Sequence, residues 1–408
     1  MTDIRGNNAP DLFVLKDSSA RSHHVNGATG FSWADRLPRW PTHDPFLLVL
    51  TFVLPLSGVV LVASAQIPSV LSGTSLFDST TVFQMIYAII GVTAALVLSA
   101  VDYHKYIRLA PFALAILAIA LVVVLIPEPC VERTDAKRWF CVGQITVQPS
   151  EFVKLAMIMA VAVLAQRFGT NIYSWQFSIG RLGGLVAIII FLVLLQPDLG
   201  TAATLLVSGF AMIMTAGARW RHLASTLPIA AVVGIISLNR YEYQWVRIKA
   251  FFNTLTGGEP DRLTTGWQAT QAQIAMGAGG VTGRGFGQGT QKFRVSIPAS
   301  DDIFAVIGEE FGLVGTGLVL VLFLALFVRG IQIAASSEDV LGRLLAVGIV
   351  TQITLQAFVN MAVVTGLFPA TGMPLPFISR GGSSLLVSLA LMGILMNVAR
   401  HAKLKRQT

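Results

Sequence analysis

The stretch SDDIFAVIGEEFGLVGTGLVLVLFLALFV, residues 300–328, joins two acidic residues to a long apolar run. Asp301 and Asp302 precede Ile303, and the run that begins there is long enough to cross a bilayer, which takes about 20 residues. The polar interval 241–301 is the longest between hydrophobic runs beyond the N-terminal tail. A carboxylate at this junction would lie where a membrane helix meets water. Asp301 is therefore our candidate for the chemistry.

Composition places the chain among polytopic helical membrane proteins. Hydrophobic residues make up 54% of it and charged residues only 12%, whereas about a quarter of a soluble domain is charged. The fold class that follows is an all-α polytopic membrane protein of about ten transmembrane helices. They are predicted at roughly residues 46–65, 82–101, 109–127, 151–166, 183–197, 200–216, 222–239, 302–328, 342–366 and 382–399.

Basic residues predict the orientation. With a cytoplasmic N-terminus, the tails and inner loops hold 17 of the 29 Lys and Arg residues, as cytoplasmic segments usually do. Both termini are then inside, and the large loop 241–301, between helices 7 and 8, is extracytoplasmic. We expect a flexible cytoplasmic tail at 1–45, a membrane domain at 46–399 and a basic cytoplasmic tail at 400–408. The charge of +8 is thereby explained without nucleic acid.

Two cysteines, Cys130 and Cys141, fall in the outer connection between the third and fourth helices. An oxidising compartment permits a disulfide between them. Two free thiols are the alternative, and the sequence leaves both open.

Ionisable residues mark the start of the fourth helix. Glu151 and Lys154 are three residues apart and share a helix face, shortly after Arg138. A charge within a membrane helix is costly, so it usually lines a cavity or meets a partner. An intrahelical ion pair with no further role is the alternative. Asp198, at the start of the sixth helix, is predicted to be an N-cap.

Prolines and glycines interrupt the stretch 368–384, FPATGMPLPFISRGGSS. Non-helical backbone at membrane depth is tolerated only against protein or a wet cavity. We therefore expect 368–384 and 247–301, which includes Arg247 and Gln271, to form opposite walls of one outward-facing cleft. The glycine run 277–289, GAGGVTGRGFGQG, is either a flexible loop or a place where a ligand closely approaches the backbone.

The ordered motifs resemble those of the SEDS family, the shape, elongation, division and sporulation proteins, over residues 46–399. The matching residues are Ala136-Lys-Arg-Trp139, Gln148-Pro-Ser-Glu151 with Lys154, Pro197-Asp-Leu-Gly-Thr201, Gly266-Trp-Gln268 with Gln271, Ile274-Ala-Met-Gly277, Ser300-Asp301 with Ile303-Phe-Ala-Val-Ile-Gly-Glu-Glu310, and Leu375-Pro-Phe-Ile-Ser379 with Gly381-Gly-Ser-Ser384.

The resemblance implies a peptidoglycan glycosyltransferase that polymerises lipid II, with Asp301 as the essential aspartate. The histidine that usually precedes this aspartate is absent here, Asp302 stands where a small or apolar residue is more usual, and Arg380 replaces a frequent tyrosine. Displacing pyrophosphate needs one base and positive charge for the leaving group. The predicted substrate-binding residues are Arg138, Lys154, Arg247, Gln271, Ser379, Arg380 and Ser383.

The resemblance also implies partners and a location. These are lipid II, a class B penicillin-binding protein acting as transpeptidase, other divisome or elongasome membrane proteins, and the bacterial cytoplasmic membrane. The 45-residue tail favours the division branch over rod elongation. A divalent cation, Mg²⁺ or Mn²⁺, is a candidate cofactor, although no dedicated ligand set is evident. The competing functions are a lipid II flippase, for which broken helices and intramembrane acids are equally expected, and a non-catalytic scaffold.

Overall fold

The computed structural model describes residues 44–66, 79–126, 137–142, 145–240, 242–256, 265–290 and 300–407. The predicted flexible tail lies almost wholly outside these residues. The α-helices are α1 Pro45–Ala65, α2 Ser79–Ala100, α3 Tyr103–Tyr106, α4 Ala110–Val123, α5 Pro149–Phe168, α6 Gly184–Leu194, α7 Leu199–Thr215, α8 Trp220–Ala224, α9 Leu227–Arg240, α10 Glu242–Leu255, α11 Thr265–Gly279, α12 Ile303–Ser336, α13 Val340–Val364 and α14 Gly382–Gln407. Short 3-10 helices follow α3 and α5, and a π-helix, Gln176–Gly183, leads into α6.

Every predicted hydrophobic segment coincides with helix, so the all-α membrane fold is confirmed. Eight helices within the described ranges are long and apolar enough to span a membrane. The predicted sixth segment is the shorter α7 of 17 residues, and the seventh contains α9, of 14 residues. The total of ten crossings and the N-in, C-in orientation stay predictions.

Aspartate side chains start several helices by accepting hydrogen bonds from otherwise unpaired N–H groups. Asp44 accepts from Phe46 N at the start of α1, and Asp339 accepts from Gly342 N at the start of α13. Asp198 accepts from Thr201 N at 3.0 Å. The predicted N-cap of α7 is confirmed.

The connection between α4 and α5 contains a small antiparallel hairpin, β1 Phe140–Val142 and β2 Ile145–Val147. Cys141 lies in β1 and is disulfide-bonded. The chain has one other cysteine, Cys130, which lies outside the described residues.

Helix α12 is interrupted at Gly312, where φ is 64° and ψ is −155°. A break of this kind deprives nearby backbone groups of their partners in the helix. The glycine run 277–289 replaces those partners. Its backbone donates two hydrogen bonds of 3.0 Å to the carbonyls of Glu309 and Glu310, and accepts two, of 2.9 and 3.1 Å, from the N–H groups just after the break. The run is thus packed against α12 and is not a free loop.

Helices α13 and α14 occupy the centre of the bundle. In their most apolar windows, 67% and 78% of the residues are buried, against 22% for the span that contains α4. The α13–α14 segment, residues 365–381, packs against α1, where a Cβ on Gly58 would lie 2.6 Å from Phe377 O. Phe377 itself has φ 67°, a conformation that bulky residues rarely adopt. The fold therefore fixes this non-helical segment inside the bundle.

Candidate active site

Asp301 lies at the junction between the large loop and α12, as predicted. Its carboxylate accepts a hydrogen bond of 2.9 Å from Ser300 Oγ, and its main-chain carbonyl accepts one of 2.8 Å from Asn360 Nδ2 on α13. Burial raises the pKa of the Asp301 carboxyl above its usual range. The hydrogen bond from Ser300 and the nearby charges of Arg247 and Arg138 act in the opposite direction. A carboxylate with a raised pKa is a stronger base than an exposed aspartate.

Arg247 faces Asp301 across Gly372. A Cβ built on Gly372 would lie 3.5 Å from Asp301 Oδ2 and 3.7 Å from Arg247 Nη1. Arg247 is held in place by a 3.1 Å hydrogen bond from Nη1 to Ala370 O. Gly372 has no side chain, so its backbone lies close to both the base and the cation.

Arg138 is a second cation near Asp301, and it contacts the turn that precedes α7. Its Nε donates to Gln196 O at 2.6 Å, and its Nη2 donates to Pro197 O. The adjacent Asp198 lies close enough to raise the pKa of Asp301. We call Asp301, Arg247, Arg138, Asp198 and Gly372 the Asp301 cluster.

Buried polar atoms without partners are found on residues that contact or adjoin this cluster, and on Gln271. Five such atoms have no hydrogen-bond partner among the described residues: Oε1 of Gln196, Gln244 and Gln271, Oδ1 of Asn360, and Oγ1 of Thr371. Leaving a buried polar atom unsatisfied costs about 1–3 kcal/mol. Water or a polyhydroxylated ligand would satisfy these atoms. The predicted Gln271 is one of them. The sequence did not single out Gln244 or Asn360, and it indicated Thr371 and Gly372 only as members of the stretch 368–384, because no charge or motif distinguishes them.

Lys154 is buried in a separate network. Its Nζ donates to Glu151 Oε1 at 2.7 Å and to Gln356 Oε1 at 2.9 Å. Gln356 Nε2 in turn donates to Pro374 O at 2.9 Å. This ion pair therefore anchors the α13–α14 segment, as does Asn360 Nδ2, which donates to Met373 O at 2.7 Å. The substrate-binding role predicted for Lys154 stays a prediction.

The remaining predicted residues lie on or beside the α13–α14 segment. Ser379 Oγ accepts from Leu375 N at 2.8 Å, and Ser383 Oγ accepts from Gln148 N at 3.1 Å. Both hydroxyls thus help to fix the backbone. Arg380 is exposed, so its side chain is accessible to a ligand or to lipid headgroups.

The other acids near α12 are placed differently. Burial and the charge of Asp301 raise the pKa of Asp302 to about 7. Glu309 accepts a 2.7 Å hydrogen bond from Thr290 N in the loop, and Glu310 accepts one of 2.6 Å from Ser64 Oγ on α1. Both glutamates are buried, but they contact different neighbours.

In the part of the chain described by the structure, no group of three or more His, Cys, Asp or Glu side chains is arranged to hold a metal ion. The described residues therefore do not form a cation cage, and no step of the proposed glycosyl transfer depends on one. Mg²⁺ commonly binds through one or two carboxylates and substrate phosphates. The divalent cation stays a prediction.

Comparisons with known proteins agree with the resemblance. The family described as cell cycle protein, FtsW/RodA/SpoVE, matches residues 45–404. Stage V sporulation protein E of Bacillus subtilis is 37% identical over 366 residues, covering 88% of this chain and 98% of that protein. A probable peptidoglycan glycosyltransferase FtsW of Trichlorobacter lovleyi is 38% identical over 371 residues, covering 90% and 95%.

Solved structures show the same fold. A chain of a peptidoglycan synthase complex that coordinates polymerization and crosslinking superposes with a TM-score of 0.72 at 26% identity, covering 89% of this chain and 99% of that one. The rod shape determining protein RodA of Thermus thermophilus superposes with a TM-score of 0.63 at 25% identity, covering 89% and 98%. The chain belongs to the FtsW/RodA/SpoVE family of cell cycle proteins, which is the SEDS family that its motifs resemble.

Proposed function

We propose that this multi-pass protein of the cytoplasmic membrane is a peptidoglycan glycosyltransferase that polymerises lipid II into glycan strands. The observation that carries the proposal is the Asp301 cluster, in which a buried carboxylate with a raised pKa faces the Arg247 guanidinium across Gly372. Relatives named as probable peptidoglycan glycosyltransferases support the reaction class.

The cluster supplies the groups that an inverting transfer requires. Asp301 takes the proton from the acceptor's 4-hydroxyl, and the oxygen attacks C1 of the donor sugar. The C1–O bond to pyrophosphate breaks, and its electron pair leaves on undecaprenyl pyrophosphate. Arg247 and Arg138 lie where positive charge would stabilise that leaving group, because bidentate contacts from arginine suit phosphate oxygens.

A polymerisation assay in detergent tests this proposal. Purified protein is given labelled lipid II, alone and with a class B penicillin-binding protein as partner, and the products are separated by length. We expect glycan polymer. A pure flippase gives none, because detergent leaves no second side of a membrane to reach, and a scaffold gives none either. Absence of polymer under both conditions would contradict the proposal.

The partner proposal follows from the structural match to a complex that coordinates polymerization and crosslinking. A class B penicillin-binding protein would supply the crosslinking activity. A role in division is favoured over rod elongation, because several of the curated relatives are named FtsW. Other divisome membrane proteins are further expected partners.

A further inference from the structure

Glu309 is a buried acid on α12 that the proposed transfer does not use. Its side chain is 1% exposed, and a buried charge is costly unless hydrogen bonds and an opposite charge accompany it. The Glu309 carboxylate has both. Its Oε1 accepts hydrogen bonds from Thr290 N at 2.7 Å and from Thr290 Oγ1 at 3.3 Å, and Arg284 Nη1 lies 3.4 Å away. The carboxylate therefore binds the residue that directly follows the glycine run 277–289.

Arg284 completes this contact from within the glycine run. Its Nη1 also donates to Thr290 Oγ1 at 2.7 Å, and its Nε donates to Ala278 O at 3.2 Å. A Cβ added to Gly289 would lie 2.8 Å from Glu309 Oε2. Because Gly289 has no side chain, the loop backbone can lie directly against the buried carboxylate. Glu309, Arg284 and Thr290 thus form one closed set of contacts between the loop and α12.

The break at Gly312 connects this set of contacts to the catalytic aspartate. Residues 303–311, which we call the first section of α12, are separated by the break from the rest of the helix. Asp301 lies just before the section, and Asn360 Nδ2 donates to its carbonyl. Glu309 lies near the other end, eight residues and roughly 12 Å from Asp301 at 1.5 Å per residue. The position of Asp301 therefore depends on contacts that this section makes outside α12.

Two kinds of contact hold the first section against its neighbours. On the side of α11, a Cβ on Gly308 would lie 2.8 Å from Met276 Cγ, but apolar packing is non-directional. On the side of the glycine run, hydrogen bonds are made, which weaken steeply when their angles change. Those to the Glu309 carboxylate are strengthened by its charge. Within the described residues, the Glu309 side chain is thus well suited to fix the orientation of the section.

We propose that Glu309 is a positioning residue for the glycosyl transfer. Through Thr290 and Arg284 it sets the orientation of the first section of α12, and thereby the placement of Asp301 relative to Arg247. Glu309 acts through the backbone of α12 and not on the substrate. This inference rests on the proposed function.

A comparison of Glu309→Gln with Glu310→Gln tests this role. Both glutamates are 1% exposed and adjacent on α12, so each substitution removes one negative charge at the same depth. The Glu310 side chain differs in accepting its hydrogen bond from Ser64 on α1. In lipid II polymerisation, we expect Glu309→Gln to lower kcat at least about tenfold with little change in KM, because a shift of about 1 Å can cost about 100-fold. Glu310→Gln should keep kcat near wild type.

Arg284→Gln is the second variant, and it keeps the test available if Glu309→Gln does not fold. Arg284 is 40% exposed, and its substitution weakens the same contact from the solvent side. We expect a smaller fall of kcat, again with little change in KM. The double variant should be no slower than Glu309→Gln, since the two side chains act on one contact. Falls of kcat that multiply in the double variant would overturn the proposal.

Hydrogen–deuterium exchange of backbone amides tests the positioning without turnover. In Glu309→Gln, exchange should be faster in peptides covering 284–290, because Thr290 N donates to the lost carboxylate. It should also be faster at 300–306, around Asp301 and the first turn of α12. Glu310→Gln should match wild type in both peptides. Unchanged exchange at 300–306 in Glu309→Gln would overturn the proposal, because Asp301 would then be held without Glu309.

The kinetic outcomes are equally decisive. A wild-type kcat in Glu309→Gln, or equal losses of kcat in both Gln variants, would overturn the proposal. A raised KM with unchanged kcat would do the same, because it indicates lost substrate binding. If the wild-type protein makes no polymer, the proposed transfer is contradicted. Faster exchange at 300–306 in Glu309→Gln alone would still support the positioning of Asp301 by Glu309.

Discussion

At the scale of single residues, the properties of Asp301 reflect a balance between burial and positive charge. Arg247 lowers the pKa of Asp301, which burial raises. Arg247→Gln should therefore move the acidic limb of the pH profile of kcat/KM upward, since a nearby positive charge favours the ionised form of a carboxyl group. Lys249→Gln, the same charge change at an exposed position of α10, should leave the limb in place. An unmoved limb in Arg247→Gln would contradict the account.

Asp302 is expected to make stability depend on pH. Its pKa is raised to about 7 in the folded chain, from about 3.9 in an unfolded one. The folded state thus binds more protons between these values, so this contribution to stability is full below about pH 4 and is lost as pH rises through 7. Thermal unfolding of Asp302→Asn in detergent should change less between pH 5 and pH 8 than that of wild type. Identical pH dependence would argue against the raised pKa.

At the scale of elements, Asn360 joins α13 to both walls of the site. Its Nδ2 donates to the carbonyls of Asp301 and Met373. Asn360→Asp keeps the shape of the side chain but replaces the donating amide with a carboxylate oxygen. That oxygen cannot donate a hydrogen bond to either carbonyl. We expect kcat to fall about 100-fold, the scale associated with a displacement of about 1 Å. The acidic limb should also shift as Asp301 moves relative to its arginines.

Asn397 provides a matched control for that substitution. Its Nδ2 donates to the carbonyls of Leu98, Ser99 and Val101, so Asn397→Asp removes the same kind of contact away from the site. It should lower the Tm and leave kcat per folded molecule near wild type. Equal losses of kcat in both variants would reduce Asn360 to a general structural role.

A second prediction at the scale of elements concerns the glycine run 277–289. A Cβ on Gly279 would lie 1.9 Å from Gly308 O, whereas one on Gly277 would have no atom within 4 Å. Both lie on α11. Gly279→Ala should lower the Tm by several degrees because backbone must move. Gly277→Ala should be neutral or stabilising by up to about 1 kcal/mol, the usual gain of alanine over glycine in a helix. A similar Tm for both variants would contradict the packing described for the run.

At the scale of the whole molecule, hydrophobic segment length and the junction at Asp301 could be predicted from the sequence. Periodicity and length locate membrane helices because the bilayer imposes them. The break at Gly312 could not be predicted, because a glycine inside an apolar run does not reveal whether another segment of backbone will supply the missing hydrogen bonds. The helices α10 and α11 within the large loop were missed because that loop was defined only by its polarity.

The roles of individual side chains were predicted less completely than the fold. Arg138 and Arg247 were identified because charges are rare in this chain and therefore informative. Lys154 was assigned to the substrate for the same reason, yet its contacts lie with Glu151 and Gln356. Sequence spacing cannot distinguish a lysine that binds the substrate from one that is paired inside the protein. Thr371 and Asn360 became candidates only when buried atoms could be compared with their partners.

The central claim is that Asp301 is the base for glycan polymerisation. The most direct measurement is the rate of polymer formation from lipid II by purified wild type, Asp301→Asn and Asp302→Asn, each checked for thermal stability. A general base contributes about 10²–10⁴-fold, so Asp301→Asn should lose at least 100-fold while Asp302→Asn retains most of the activity. Polymer formation by Asp301→Asn at the wild-type rate would contradict the account.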